Sequence, residues 1–123
     1  MMAARILLAE DESAVAGPLL SALRERGHEV RWVRAVRDLR TEMPEFSPQV
    51  LLLDSALDQD ALEYLQAIRF TPLCPPGGVV VLTDPGDHGS RERAHQLGAA
   101  AVVPKSQDPV RLVGVVEELI GYL

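Results

Sequence analysis

Val50-Leu51-Leu52-Leu53-Asp54 is an unbroken apolar run that stops on a carboxylate. It shows no alternation of polar and apolar residues, so it reads as a short strand buried on both faces, the habit of a central strand in a parallel sheet. In open α/β sheets, ligands gather just beyond the carboxyl ends of the strands. Asp54 stands at that edge, and the rest of the chain can be read for what converges on it.

Outward from this strand the pattern repeats. Arg5-Ile6-Leu7-Leu8-Ala9, Val79-Val80-Val81-Leu82 and Ala100 to Val103 are further apolar strands, and Glu29 to Val33 is a more polar one suited to a sheet edge. Between them lie helical patterns. Ser13 is placed to cap a helix burying Val15, Leu19, Leu20 and Leu23, which ends at Gly27. Ala35 to Met43 forms a second helix, with Pro44 and Pro48 bracketing the loop beyond. A third begins near Gln59 or Asp60 and runs to about Phe70, burying Leu62, Leu65 and Ile68. The stretch Thr71 to Gly78 holds three prolines and two glycines and must be loop. A polar helix covers Gly89 to Leu97. Asp108 and Pro109 open a last one with the stripe Val110, Val113, Val116, Leu119 and Ile120. Strands alternating with helices predict a doubly wound α/β fold, a five-stranded parallel sheet with five helices and right-handed crossovers.

Composition narrows the function. The 123 residues suffice for one domain with its own core, and aromatic residues are only 4%, so that core is aliphatic. A formal net charge of −6 with no basic run gives no electrostatic footprint for nucleic acid or an anionic membrane. No apolar stretch approaches the ~20 residues that span a bilayer. The N-terminus lacks a signal-peptide pattern and the single Cys74 fits a reducing compartment, so the expected location is cytoplasmic. Cys74 has no basic neighbours to activate its thiol. His28, His88 and His95 lack metal-ligand spacing and read as surface residues; Trp32 reads as packing on the edge strand.

The residues just after the strands are Glu10 and Asp11, Asp54, Thr83 and Lys105. Crowded carboxylates repel unless a cation balances them. A hard dication with oxygen ligands suits them, and Mg²⁺ suits best, because it takes one or two carboxylates and fills its shell with water and phosphate oxygens. With Mg²⁺ on Asp11 and Asp54, a phosphoryl group can be drawn to the free oxygen of Asp54, since carboxylates serve as covalent nucleophiles. Lys105 can pair with the phosphoryl oxygens and Thr83 can donate to them. Glu12 reads as a solvated acid in the first turn of the helix.

These segments, in this order and spacing, resemble the receiver domain of bacterial two-component response regulators over essentially all of residues 1–123. Ile6 to Glu12 is similar to the family's acidic pocket, Val50 to Asp54 to its phosphoacceptor strand, Val80 to Thr83 to the strand ending in a switch hydroxyl, and Gly98 to Ser106 to the segment with an essential lysine. The resemblance implies a flavodoxin-like strand order 2-1-3-4-5 and a signalling module rather than an enzyme. It implies phosphorylation of Asp54 by a histidine kinase or phosphotransfer protein, and Mg²⁺ held by Glu10, Asp11, Asp54 and the backbone carbonyl of Ala56. It also implies output, and by analogy alone a homodimer, through the face of the fourth helix, fifth strand and fifth helix.

Three positions depart from the family pattern. Asp58 replaces a proline four residues after the phosphoacceptor, in a shorter and more acidic loop. Asp84 replaces a small residue after Thr83; two unit charges ~6 Å apart repel by roughly 3 kcal/mol at an effective dielectric of ~20, before metal and water reduce it. Val102 stands where an aromatic switch residue is usual. These departures motivate a second reading, a receiver-like interaction module that works without phosphorylation. A flavin or nucleotide site of similar topology is disfavoured, because Glu10-Asp11-Glu12 replaces the Gly/Ser/Thr-rich phosphate loop it needs.

Overall fold

The computed structural model describes residues 3–58, 61–121 and 123. Its strands are β1 (Arg5–Ala9), β2 (Glu29–Val33), β3 (Val50–Asp54), β4 (Val79–Thr83) and β5 (Ala101–Pro104). Its helices are α1 (Ser13–Glu25), α2 (Val36–Phe46), α3 (Ala61–Ile68), α4 (His88–Gln96) and α5 (Pro109–Gly121). The strands form one parallel sheet, as the alternation of strands and helices predicts, in the order β2-β1-β3-β4-β5 that the resemblance implies. The predicted start of the third helix at Gln59 or Asp60 lies outside the described residues.

All five residues of β3 are buried, as are those of β4. The edge strands β2 and β5 are only partly covered. Alternate side chains of the central strands point to opposite faces. Leu7, Leu51, Leu53, Val79 and Val81 meet α2, α3 and Ala94 of α4, while Ile6, Leu8, Val50, Leu52, Val80 and Leu82 meet α1 and α5. The loop before β4 needs its glycines. A Cβ on Gly77 would stand 2.6 Å from the Gln49 carbonyl oxygen. Gly78 takes φ +95°, and a Cβ there would stand 2.7 Å from that of Ala100.

Several local expectations are corrected. Ser13 is the first residue of α1, not its cap; Glu12 holds the cap position, and its carbonyl accepts the Val15 and Ala16 N–H groups. Pro44 does not end α2. In the last turn a proline removes one intrahelical bond at most, and the helix continues to the buried Phe46 before Ser47 turns left-handed at φ 49°. Val110 is exposed and Leu112 takes its place in the buried stripe of α5. In α1, Ala16 is buried with Leu19, Leu20 and Leu23 while Val15 lies at the margin; in α3, Tyr64 is buried and Leu62 only partly so.

His28 is buried rather than on the surface. Its Nδ1 accepts the Ala4 N–H at 3.1 Å, so Nε2 carries the proton and meets Glu117 Oε2 at 2.9 Å. Arg26 holds the same carboxylate through Nε at 3.2 Å and Nη2 at 2.9 Å. The Arg26 bond first, and His28 behind it, keep Glu117 below the ordinary carboxylate range against the opposing effect of burial. The trio ties the start of β1 and the end of α1 to α5. Glu117→Ala leaves the buried His28 N–H without its acceptor and is expected to cost about 1–3 kcal/mol in urea denaturation. A loss indistinguishable from zero would mean that water replaces the carboxylate.

Candidate functional site

The carboxyl edge of the sheet gathers the predicted residues. Asp54 ends β3, paired in register with Leu82, and Thr83 closes β4 one residue further on. Asp54 is fully buried. The turn after it is fixed by three bonds: Ser55 N–H to the Leu82 carbonyl at 2.9 Å, Leu57 N–H to the Asp54 carbonyl at 3.1 Å, and Ala56 N–H to Asp54 Oδ1 at 2.9 Å. The last of these leaves Oδ2 as the free oxygen of the carboxylate.

Lys105 reaches that oxygen. Its backbone N–H donates to the Thr83 carbonyl at 2.8 Å, which holds the segment after β5 against the end of β4. Its Nζ lies 3.0 Å from Asp54 Oδ2, 3.1 Å from Glu12 Oε1, 3.5 Å from Asp84 Oδ1 and 3.7 Å from Glu10 Oε1. The lysine side chain is only 7% exposed. Burial disfavours its charge, but Asp54, Glu12 and Glu10 outweigh burial and raise the ammonium pKa above the ordinary lysine value. Lys105 is therefore a fixed positive charge.

Glu10 is the other fully buried acid among the described residues. Its N–H donates to the Val33 carbonyl at 3.0 Å, and its own carbonyl accepts Trp32 Nε1 at 2.7 Å. Oε1 accepts the Glu12 N–H at 3.1 Å. Burial, with the nearby charge of Asp54, pushes the Glu10 carboxyl up to about 7, although the Glu12 N–H and Lys105 act against it. Glu10, Asp11 and Glu12 each bring a carboxylate oxygen within 4.8 Å of the other two. Asp11 is exposed, and Arg34 Nη2 donates to its carbonyl at 2.8 Å.

The donor set fits a hard dication. Glu10 Oε2 is buried and accepts no hydrogen bond among the described residues, and Asp54 Oδ2 meets only the Lys105 ammonium, at 3.0 Å. Buried carboxylate oxygens so sparsely partnered are costly in a native interior and favour a further cation. One lysine does not neutralise Glu10, Asp11, Glu12, Asp54 and Asp84.

Three residues differ from their sequence reading. Glu12 is exposed but is not merely solvated, since it holds Lys105. Asp84 is not an unbalanced charge at the entrance, because it faces the same ammonium. Asp58 is not simply an added surface charge: its Oδ2 accepts the Val36 N–H at 2.8 Å, at the start of α2. Val102, aligned with Val81 and partly buried, lines a small cavity of about 80 Å³ together with Thr83, His88, Arg91 and Pro104. No periodicity announces the Glu12, Trp32 and Arg34 contacts, because they join residues far apart in the chain. Cys74 is half-buried with its thiol pKa raised by burial, which suits an inert cysteine.

The model of the response regulator receiver domain family matches residues 6–117. Among curated proteins, the DNA-binding transcriptional regulator NtrC of Azospirillum brasilense is 28% identical over 122 residues, 98% of this chain and 25% of that protein. Among solved structures, NtrX from Brucella abortus in complex with ADP superposes with a TM-score of 0.86 at 26% identity, over 98% of this chain and 27% of the other. A response regulator receiver domain protein (CheY-like) from Methanospirillum hungatei JF-1 gives a TM-score of 0.85 at 20% identity over 98% and 96% of the two chains, a likeness of fold. The chain thus spans about a quarter of the NtrC and NtrX proteins it matches. No helix among the described residues is long and apolar enough to cross a membrane.

Proposed function

Because this chain belongs to the response regulator receiver domain family, whose members carry signals in two-component phosphorelays, we propose that it does so by accepting a phosphoryl group on Asp54. The observation that carries this reading is Asp54 Oδ2: buried, left clear by the turn that binds Oδ1, and 3.0 Å from the Lys105 ammonium. The donor is a histidine kinase or phosphotransfer protein. An Asp54 oxygen forms the new bond to phosphorus, the donor's P–N bond breaks, and the imidazole nitrogen keeps the electron pair and takes a proton.

Glu10, Asp11, Asp54 and the backbone carbonyl of Ala56 are the groups that would hold Mg²⁺. When bound, the ion supplies positive charge that offsets the carboxylates and the incoming phosphoryl oxygens. Lys105 pairs with those oxygens and orients them. Glu12 and Asp84, which share the lysine beforehand, must release it as the phosphoryl group arrives. Thr83 donates its hydroxyl to the phosphoryl group and moves the β4–α4 loop. With Val102 in place of a ring, this displacement reaches the α4–β5–α5 face, and any homodimer formed there, through backbone and helix movement. The acidic surface leaves no part for this domain in direct nucleic acid contact.

The experiment is incubation with acetyl phosphate and Mg²⁺, read as acid-labile phosphate. The native chain takes up label and Asp54→Asn takes up none; equal labelling of the two would remove Asp54 from its role. A second reading, an interaction module that works without phosphorylation, is favoured by Asp84 and Glu12 already occupying Lys105. Beryllofluoride with Mg²⁺ separates the two. Amide shifts around Asp54 that vanish in Asp54→Asn support the phosphoacceptor, and no binding at millimolar ligand supports the module.

A further inference from the structure

Helix α2 begins without a cap of its own. Ala35 occupies the cap position in extended backbone and offers no side-chain acceptor. The Val36 N–H is met instead from another element, by Asp58 Oδ2 at 2.8 Å. A carboxylate there gains from both the hydrogen bond and the positive end of the helix dipole. Asp58 stands at the end of the turn that carries Ala56, and its carbonyl in turn accepts the Ala61 N–H at 3.2 Å, where α3 begins.

The end of β2 and its short connection to α2 also grip the other acidic loop. Trp32 Nε1 donates to the Glu10 carbonyl at 2.7 Å and Arg34 Nη2 to the Asp11 carbonyl at 2.8 Å. Segment 32–36 therefore bonds to both loops that carry the candidate metal ligands, while supplying none of those ligands itself.

We propose that Asp58 is a positioning residue for the metal site: through the Val36 N–H it holds the Ala56 turn, and segment 32–36 braces that turn against the Glu10–Asp11 loop. The inference rests on the metal reading above. Trp32, the only tryptophan of the chain, sits inside the brace and reports on it.

The test is a Mg²⁺ titration of the whole chain, followed by Trp32 fluorescence and by the Ala56 amide resonance. In the native chain both signals move with one dissociation constant. Asp58→Ala weakens Mg²⁺ binding about tenfold, the lower end of the effect of removing a group that orients metal ligands, and exposes the Val36 amide to hydrogen exchange. Asp58→Asn keeps an oxygen acceptor without the charge, and retains near-native affinity and Val36 protection. Arg34→Ala removes the bond to the Asp11 carbonyl and the guanidinium 5.0 Å above the Trp32 ring, so its affinity is read from the Ala56 amide. It weakens binding in the same direction by a smaller factor, and serves if Asp58→Ala does not fold. Unchanged affinity in Asp58→Ala overturns the brace, as does an equal loss in Asp58→Ala and Asp58→Asn, which would make Asp58 a distant charge. If Asp58→Ala is unfolded, unchanged affinity in Arg34→Ala overturns it. Absence of Mg²⁺ binding by the native chain overturns the metal reading itself, and the brace with it.

Discussion

Lys105→Met destabilises the metal-free chain by about 3–5 kcal/mol, the cost of removing one partner from a buried ionic cluster. The lysine is the single cation within 4 Å of Asp54, Glu10, Glu12 and Asp84 among the described contacts. Asp54 and Glu10 are fully buried, so water cannot replace the ammonium as it would at the surface. Methionine keeps much of the aliphatic length, which confines the effect to charge. Mg²⁺ recovers a large part of the loss, because it supplies positive charge to the same oxygens. Urea denaturation of the native chain and the variant, each with and without Mg²⁺, reads both effects. A loss below about 1 kcal/mol that does not respond to Mg²⁺ would show that Lys105 is not the counter-ion of the pocket.

A pH slope of unusual sign is the second large effect. Burial first, and Asp54 after the opposing Glu12 N–H, raise the Glu10 carboxyl from 4.5 to about 7. Between those values the folded chain binds more protons than the unfolded one, so metal-free stability falls as pH rises from about 4.5 to about 7. The full shift corresponds to roughly 3 kcal/mol. The raised Lys105 contributes a constant gain throughout this window, since the gain is complete below the ordinary value of 10.5. Glu117, held low by Arg26, has the opposite sign: its contribution is present above 4.5 and fades as pH falls below it. Glu10→Gln removes the slope, raises metal-free stability at pH 8, and weakens Mg²⁺ binding. Denaturation midpoints between pH 4.5 and pH 8 without metal, compared for the two chains, decide the matter. A native midpoint that climbs with pH, or a slope that persists in Glu10→Gln, would contradict it.

The fold was legible because its signals are local. Four residues with no polar alternation, as in Val50 to Leu53, can be satisfied only between two layers, and the same holds for Val79 to Leu82. Glycines and prolines marked the breaks, and strand–helix alternation left one economical topology. The legibility faded where a position's role depends on a distant partner. His28 is polar and looks like a surface residue until Ala4 and Glu117 are brought to its two nitrogens. Pro44 reads as a stop, yet Phe46 anchors another half turn against the sheet. Val110 fits the helical period, but the period alone does not fix how far the apolar stripe extends.

The candidate site follows the same rule. Glu10, Asp11, Asp54, Thr83 and Lys105 could be picked out because the topology sends all strand ends to one edge. Asp58 could not be read correctly, since its partner is a backbone N–H at the start of α2, twenty-two residues earlier. Glu12 and Asp84 were visible as acids, but their shared hold on Lys105 depends on how the segment after β5 folds back across β4.

The sheet that places Asp54 also divides the interior in two. Leu51 and Leu52 are chemical neighbours on one strand, yet the first belongs with α2 and α3 and the second with α1 and α5. Changes in one layer should drift and compensate among themselves with little consequence for the other, since residues without shared contacts combine almost independently. Each layer nevertheless touches the acidic edge at one helix start, α2 through Val36 and Asp58 and α1 through the Glu12 carbonyl. Substitutions far from those two starts are the ones expected to combine independently.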